Sequence, residues 1–350
     1  MLFPGAMVET AFYVATADAS NSEPPLAFWA DYRSRSASAG LRELRRARYY
    51  SSRLDFPIVH EGYSIYHNED LGNGEGDWSP RPYHSWQLLL SLSHHPKVKD
   101  LFTVRQGART GHNRAFILSK DEWKALPKRE RGYFRPAVLN ESLRDGVLCD
   151  AAYIFFPYDQ KQLSTESSLR QELPTYYNGH LKSYRNELKE RQRVDVKEWW
   201  LLSLRRTWQT EPIPKLVSTY FGGSGSFAWD DNGQFAVVQG HAWLPKENAF
   251  SLEFSRTLAL PYLVILNSSI FLELLAATSN HVGGGQWNLS ARFVEDIPLP
   301  RLDRSDTSES LLEDLAREGE LIFTKGIEPN DAQRRERIRE LAASAYGISG

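Results

Sequence analysis

Residues 101–118 read LFTVRQGARTGHNRAFIL. Two apolar runs in this stretch, Leu101–Val104 and Ala115–Leu118, flank a polar connection that is rich in arginine and glycine. Two short apolar runs around a glycine-containing connection are typical of a β-hairpin. The stretch therefore predicts two strands joined by a loop that carries more polar side chains than a chain reversal requires, because a reversal needs only turn residues such as glycine.

The polar loop offers groups that a nucleic acid could contact. Its arginines supply positive charge, its threonine and asparagine supply short donors for phosphates or base edges, and Gly107 and Gly111 allow close backbone approach to a DNA strand. The candidate DNA-binding residues are Arg105, Arg109, Thr110, Gly111, Asn113 and Arg114. We expect Arg109 to read a base edge and Thr110 or Asn113 to contact phosphate. The alternative is a loop whose polar groups hydrogen-bond only to their own backbone.

The composition is that of a soluble globular protein. The 350 residues are 41% hydrophobic and 25% charged, which is enough for one large domain or two smaller ones. No apolar run is long enough to span a membrane, and the opening residues lack the basic leader of a signal peptide. We therefore expect a cytoplasmic protein with no membrane partner.

Charge and cysteine content narrow the possible ligands. The net charge of −2 does not exclude DNA, because binding requires a basic face and not a basic total. The single Cys149 excludes an internal disulfide and a cysteine-built metal site, and its apolar neighbours predict a buried structural thiol. The histidines lack metal-ligand spacing, so no metal site is expected.

Basic residues cluster in two segments. The first is LRELRRARYYSSR, residues 41–53, and the second is NGHLKSYRNELKERQR, residues 178–193. The second predicts a helix capped by Asn178, with one basic face that could lie along phosphates. That face contains Lys182, Arg185, Lys189 and Arg193. The alternative is a solvated surface helix in which Glu187 and Glu190 compensate the charge.

Strand and helix patterns alternate along the chain and predict an α/β fold with a mixed sheet and C-terminal helices. Residues 54–85 are expected to be irregular, and Ser119 with Glu122 forms a capping-box pattern for a short helix. Strands are predicted at 8–16, 26–32, 149–158, 215–221 and 234–239. A strand-to-helix passage is predicted at 258–277, and tail helices at 308–323 and 331–346.

Two motifs resemble parts of a methyltransferase site but lack its context. Phe221, Gly223 and Gly225 have the spacing of an S-adenosylmethionine-binding turn, yet hairpin chemistry follows and no helix begins there. Glu23 precedes two prolines where an adenine-N6 methyltransferase needs Asn or Asp, and Leu26 stands where an aromatic ring should stack on the flipped base. Ser224 lacks the pattern around a nucleophilic serine. We therefore expect no catalytic residue and no bound cofactor in this chain.

A series of motifs resembles the TaqI-like target-recognition domain of adenine-N6 DNA methyltransferases and of fused restriction-methylation enzymes. The resemblance rests on their order and spacing over roughly residues 80–300. The motifs are VRQGARTGHNRAFIL, YFRPAV, YRNELKERQ with EWWLL, IPKLVSTYFGGSGSFAWDDNGQFAV, LVILNSSIFLELL, GGGQWNLS and VEDIPLP. The catalytic module that precedes this domain in complete enzymes is missing from the sequence.

The resemblance implies a division of labour with a second polypeptide. Residues 41–300 would form the recognition domain for double-stranded DNA, residues 301–350 a helical tail, and residues 1–40 edge strands that complete a partner's methyltransferase fold. The partner would carry S-adenosylmethionine and an Asn/Asp-Pro-Pro-aromatic motif. Further DNA contacts are expected from Lys215, Gln286, Trp287 and Asn288. Partner contacts are expected from Val8, Thr10, Phe12, Val14 and Phe28.

The expected function is sequence recognition in a split, site-specific adenine-N6 DNA methyltransferase of the restriction-modification or phage-defence type. The chain would work in a hetero-oligomer and would not catalyse methylation by itself; a truncated chain is the alternative to a natural split. One competing hypothesis is an interaction protein that regulates a methyltransferase or restriction complex without reading sequence. Another is a divergent, self-contained methyltransferase in which residues 23–26 and 221–225 come together.

Overall fold

The computed structural model describes residues 26–31, 37–50, 55–67, 80–158, 163–192, 194–282, 286–303, 307–328 and 330–348, and these form a mixed α/β fold. The strands are β1 Leu26–Ala30, β2 Ile58–His60, β3 Tyr63–His67, β4 Phe102–Gln106, β5 Ile117–Ser119, β6 Phe134–Val138, β7 Leu143–Arg144, β8 Val147–Leu148, β9 Ala152–Phe155, β10 Lys215–Ser218, β11 Phe221–Gly222, β12 Phe227–Asp230, β13 Ala236–Val237, β14 His241–Pro245, β15 His281–Val282 and β16 Gln286–Asn288.

Helices connect and cover these strands. They are α1 Ala37–Tyr50, α2 Tyr83–Ser91, α3 Val98–Leu101, α4 Asn113–Phe116, α5 Lys120–Ala125, α6 Lys128–Arg131, α7 Glu166–Glu172, α8 Pro174–Gly179, α9 Arg185–Lys189, α10 Arg256–Asn267, α11 Ser269–Thr278, α12 Ala291–Val294, α13 Glu309–Lys325 and α14 Ala332–Tyr346. Short 3-10 turns lie at Asn140–Ser142, Leu181–Tyr184, Val196–Glu198 and Thr207–Gln209.

Two four-stranded sheets form the scaffold. One has the order β12-β10-β14-β4 and is antiparallel; the other has the order β13-β6-β9-β5, with β13 and β6 parallel. Neighbouring residues of β10 point to opposite faces, so Leu216 packs in the helix-covered core and Val217 packs in a small cluster with Val138 and Val237 of the second sheet. The two sheets therefore share a thin apolar contact between two larger cores.

The apolar segment 258–277 forms two helices and no strand. The predicted passage from a strand to a helix was wrong, because a continuous apolar run has no period that distinguishes a buried helix from a buried strand. Ser268 ends α10 and caps α11, accepting a hydrogen bond from the Phe271 amide at 3.2 Å. Among the described residues, no single helix is long and apolar enough to cross a membrane; the apolar helices α10 and α11 reach such a length only together, and they are bent by 65° at the break between them.

Local helix signals in the sequence are confirmed. The Ser119 and Glu122 side chains form the reciprocal capping box of α5. Asp331 caps α14, and this helix ends at Gly347 in the left-handed conformation with φ 70°. Both tail helices pack against the apolar core around α10.

The segment before residue 85 is more ordered than its composition suggests. Strands β2 and β3 form an antiparallel sheet with β1, in the order β1-β3-β2, so the expectation of an irregular region was wrong for 58–67. The strand at Leu26–Ala30 is confirmed. Phe28 packs beside the Tyr63 ring, with centroids 6.4 Å apart, and a Cβ at Gly40 of α1 would lie 2.8 Å from the Phe28 ring.

The N-terminal strand predicted at 8–16 lies outside the described residues, and so do Val8, Thr10, Phe12, Val14 and the Glu23-Pro-Pro motif. The expected partner interface therefore remains a prediction; of its residues only Phe28, in β1, belongs to the described part of the chain.

Two further expectations are corrected. The polar loop at 107–112 is not a hairpin turn, because β4 belongs to one four-stranded sheet and β5 to the other. The basic segment is not one helix capped by Asn178. It is divided into the end of α8, a 3-10 turn at Leu181–Tyr184 and α9, and the Asn178 side chain donates back to the carbonyl of Pro174 at 2.9 Å.

Candidate nucleic-acid interface

Backbone hydrogen bonds fix the path of the loop between β4 and β5. The Gly107 amide donates to the carbonyl of Gly240 at 3.1 Å, and the Ala108 amide donates to that of Val237 at 2.8 Å. Arg109 and Leu204 exchange two backbone hydrogen bonds of 2.9 and 3.0 Å. The loop is therefore held across the junction of the two sheets, and its side chains project from a fixed backbone.

Both glycines of the loop serve the protein's own packing. A Cβ at position 107 would lie 2.5 Å from the carbonyl oxygen of Val237, so only glycine fits there. Gly111 has φ 71°, and a Cβ there would also lie 2.8 Å from Cδ of Arg191. The close approach that we expected toward DNA at Gly107 is an approach to the neighbouring strand.

Thr110 and Asn113 mainly organise the loop itself. Thr110 is buried, its Oγ1 donates to Oδ1 of Asn113 at 2.6 Å, and the same oxygen accepts from the amide of His112 at 3.1 Å. Thr110 is therefore removed from any DNA contact, and the local hydrogen-bonding alternative is correct for this residue. Asn113 is exposed at the start of α4 and keeps its amide nitrogen at the surface.

The half-buried guanidinium of Arg191 joins the loop to the basic segment. Arg191 donates to the carbonyls of Thr110, of Leu188 at 3.0 Å, of Trp199 at 2.6 Å and of Leu201 at 2.9 Å. Burial lowers the pKa of Arg191 to about 10. Sequence reasoning missed this residue, because nothing in the repeating basic pattern marks which arginine points inward.

Five arginines lie on the two chain segments that meet at the loop, residues 102–116 and 204–206. Arg105, Arg109, Arg114 and Arg205 are exposed and Arg206 is half-buried. No described residue forms an ion pair with any of them, and neither residues 102–119 nor residues 199–210 contain an aspartate or glutamate. We call this group the arginine surface, defined by Arg105, Arg109, Arg114, Arg205 and Arg206.

Gln106 connects the arginine surface to the next sheet. Its Oε1 accepts from Nη2 of Arg109 at 3.2 Å and from Nη2 of Arg206 at 3.0 Å. Its Nε2 donates to the hydroxyl of Tyr220 at 3.3 Å. Arg205, Arg206, Gln106 and Tyr220 were not expected from the sequence, although the Arg205-Arg206 pair in an acid-free stretch was a visible signal.

The expected groove contacts at 286–288 lie on the sheet that follows Tyr220. Strand β16 pairs with β11, so Asn288 is opposite Phe221, whose side chain is 42% exposed. Gln286 is exposed, whereas Trp287 packs against the main core and Asn288 Oδ1 accepts from the Ser290 amide at 3.0 Å. Gln286 is therefore accessible to a ligand, and Trp287 and Asn288 support the strand.

The basic segment contributes less free charge than its sequence suggests. Arg185 pairs with the carboxylate of Glu166 at 2.9 Å, while Lys182 is exposed and Lys189 is half-buried. The segment nevertheless lies beside the loop, because Nε2 of His112 contacts Glu187 at 2.7 Å and the His180 ring nitrogen contacts the carbonyl of Arg114 at 3.0 Å. Arg185 is thus largely compensated and Lys182 remains available.

The Glu166 pair predicts a pH-dependent contribution to stability. The Arg185 guanidinium, with hydrogen bonds from Tyr177 and Trp199, lowers the pKa of Glu166 to about 2. A depressed carboxyl pKa contributes stability above the unfolded value and loses that contribution as pH falls toward the folded value. The stability difference between the parent and Glu166→Gln should therefore shrink between about pH 5 and about pH 3 in urea denaturation. A difference that is constant over this range would show that the charge of Glu166 does not stabilise the fold.

Lys215 does not belong to the interface, and the expectation of a phosphate contact was wrong. The residue is only 2% exposed, and its Nζ pairs with Oδ2 of Asp230 at 2.5 Å across the β10–β12 hairpin. Asp230 also accepts the amides of Gln234 at 3.2 Å and Phe235 at 3.1 Å. Burial lowers the pKa of Lys215 and raises that of Asp230. Lys215 is a structural cation.

The hairpin that the sequence indicated at the Asp-Asn-Gly turn, residues 231–233, is not formed, because β12 pairs with β10 and β13 pairs in parallel with β6 of the other sheet. The glycine turn at 221–225 precedes β12. It leads from β11 into β12, and the Gly223 amide donates to Oγ of Ser226 at 2.8 Å. No helix begins at the turn, so its amides are not presented to a phosphate or to a cofactor.

The single cysteine, Cys149, is half-buried and is therefore less enclosed than the sequence predicted.

The fold and the site describe a mixed α/β protein whose arginine surface, at the junction of two sheets, forms no ion pair with a carboxylate of the described residues. No protein-family model and no curated protein matches the sequence. The chain is similar to the structure of the Type IIL restriction-modification enzyme MmeI in complex with DNA, at 13% identity and a TM-score of 0.47. The similarity covers 73% of this chain and 34% of that one, so the chain spans about a third of that enzyme's length.

Proposed function

We propose that this chain is the DNA target-recognition subunit of a split, site-specific adenine-N6 DNA methyltransferase. The observation that carries the proposal is the arginine surface, in which five arginines on two adjoining chain segments have no pairing carboxylate among the described residues and two of them share the Gln106 oxygen. The order of the motifs along the sequence, which resembles a target-recognition domain, gives this surface its proposed ligand. S-adenosylmethionine and the target adenine would be held by a partner chain.

The charge and the rigidity of the surface suit double-stranded DNA. Arginines that neutralise phosphates release condensed counterions, which supplies affinity for any sequence. Sequence is read by groups held at fixed positions against base edges. The backbone bonds of Gly107, Ala108 and Arg109 provide such a fixed base for the exposed side chains.

A partner chain is proposed because the glycine motif among the described residues does not have the context of a cofactor-binding turn. The turn at 221–225 runs into a strand and so lacks the helix N-terminus that a cofactor phosphate or carboxylate would use. Within the described residues β1 lies at one edge of its sheet. An edge strand can pair with a strand of another chain, which is consistent with docking through the N-terminal region.

The proposed function predicts that charge on the arginine surface controls DNA affinity. We expect a variant with Arg105, Arg109 and Arg205 all replaced by Gln to bind double-stranded DNA more weakly. The slope of log affinity against log salt should become shallower by about 0.9 for each lost phosphate contact. Stability should change by no more than about 0.5 kcal/mol per residue, because these side chains are exposed. Fluorescence anisotropy with labelled duplexes at several salt concentrations measures both quantities.

A matched control carries three replacements on the C-terminal helices, Arg317→Gln, Arg337→Gln and Arg339→Gln. It removes the same charge from helices α13 and α14, outside the arginine surface. We expect this control to bind DNA with the parental affinity. Equal weakening by both triple variants would reduce the effect to net charge and contradict the proposal. Co-purification with a methyltransferase subunit, followed by methylation sequencing, then tests the partner; methylation by this chain alone would contradict the division of labour.

A further inference from the structure

The side-chain amide of Gln106 has a defined orientation between three partners. Its oxygen accepts from Arg109 and Arg206, and its nitrogen donates to the hydroxyl of Tyr220. The Tyr220 hydroxyl in turn donates to the carbonyl of Val238 at 3.2 Å. Turning the amide over would place its NH2 group against two guanidinium donors, so the network allows one orientation.

Arg206 is fixed more firmly than an ordinary surface arginine. Its Nε donates to the carbonyl of Gly107 at 3.2 Å while its Nη2 donates to Gln106. Its backbone has φ 61°, a left-handed conformation that is uncommon for a residue with a side chain. Such conformations cluster at binding and catalytic sites, where the surrounding structure holds them.

Two cations therefore meet at one neutral oxygen. Arg109 and Arg206 both donate to Oε1 of Gln106, and no carboxylate of the described residues pairs with either. The repulsion between the two guanidinium groups is relieved when a ligand supplies further acceptors. Arg109 is exposed, and its Nε and Nη1 have no hydrogen-bond partner among the described residues.

We propose that Gln106 is a positioning residue that aims the guanidinium of Arg109 at the O6 and N7 atoms of a guanine in the major groove. The inference rests on the proposed function and names the base that this surface reads. A guanidinium is planar and presents two parallel donors, and these match the two acceptors of guanine. Gln106 accepts from one Nη of Arg109 and so restricts the directions in which the guanidinium can point, while Arg206 holds Gln106 in place.

The test uses the full chain and guanines that lack the N7 acceptor. A sequence is first selected from a random pool of double-stranded oligonucleotides, and each of its guanines is then replaced in turn by 7-deazaguanine. The parent chain should lose affinity by about ten-fold at one guanine and little at the others. Arg109→Ala should be insensitive to the substitution at that same guanine, because the interacting partner is already gone.

The positioning role is tested with Gln106→Met, which keeps the shape of the side chain and removes its hydrogen bonds. This variant should lose most of the ten-fold discrimination at the one guanine while its salt dependence stays at the parental value. Gln234→Met, a replacement of an exposed glutamine outside the arginine surface, is the control and should keep the discrimination. Thermal unfolding confirms that both variants are folded.

Three outcomes would overturn the inference. If Arg109→Ala weakens all sequences equally and lowers the salt slope by about one, Arg109 contacts a phosphate and reads no base. If Gln106→Met retains the guanine discrimination, Gln106 does not position Arg109. If the full chain binds no double-stranded DNA, the proposed function fails and the inference fails with it, whereas either of the first two results leaves the proposed function standing.

Discussion

Replacing Lys215 by alanine is expected to lower the free energy of unfolding by about 3–5 kcal/mol, because the change leaves the buried carboxylate of Asp230 without its cation. Both side chains are almost fully enclosed, with exposures of 2% and 3%. Asp230 cannot turn toward water, since it also accepts two backbone amides of the turn that follows β12. Urea denaturation monitored by tryptophan fluorescence gives the magnitude.

The control for this prediction is Lys246→Ala, which removes an exposed lysine just after β14 and should change stability by no more than about 0.5 kcal/mol. At a temperature where Lys215→Ala is folded, its DNA affinity should equal that of the parent. Parental stability together with reduced DNA affinity in Lys215→Ala would show that Lys215 contacts a phosphate and would contradict its structural role.

Replacing Arg191 by alanine is expected to destabilise the fold by roughly 3 kcal/mol, since each hydrogen bond to a charged group contributes about 1.5–3 kcal/mol and several carbonyls lose their donor together. The loss should be concentrated at the loop, because Arg191 is the side chain that joins Thr110 to the carbonyls of Trp199 and Leu201. Hydrogen exchange should therefore accelerate at the amides of residues 108–112.

Arg191→Lys separates charge from geometry. Lysine keeps the cation but cannot donate along the several directions of a guanidinium, so it should recover only part of the lost stability. DNA affinity should fall in both variants for every sequence, because the loop that carries Arg109 is no longer held. Unchanged exchange at residues 108–112 in Arg191→Ala would show that the backbone ladder alone fixes the loop.

Local signals in the sequence predicted local structure well. The capping box at Ser119, the cap at Asp331 and the left-handed end at Gly347 each depend on residues within one turn, so the sequence contains the whole interaction. The strand at β10 was predicted, whereas the hairpin indicated at residues 231–233 is not formed, because the strands on its two sides belong to different sheets. The mixed α/β class followed from the alternation of these elements.

Pairing between distant segments was not predictable from the same patterns. The two apolar runs around the polar loop look like a hairpin, yet β4 pairs with β14 and β5 pairs with β9, both of which lie more than thirty residues later. The role of a basic residue likewise depends on what lies opposite it. Lys215 faces Asp230, Arg185 faces Glu166 and Arg191 faces backbone carbonyls, whereas Arg109 faces solvent and one glutamine.

The main-chain hydrogen bonds that hold the loop between β4 and β5 have a consequence for how the proposed DNA specificity could evolve. Its course is set by main-chain bonds and by Gly107, and the outward side chain of Arg109 takes no part in the core. In the proposed function, a replacement at Arg109 or Arg114 would alter which ligand is preferred without a compensating change elsewhere, while a replacement at Gly107 or Arg191 would first disturb folding. Neighbouring positions along one short segment would then differ in the changes they tolerate, and single substitutions would give new preferences while the fold stays unchanged.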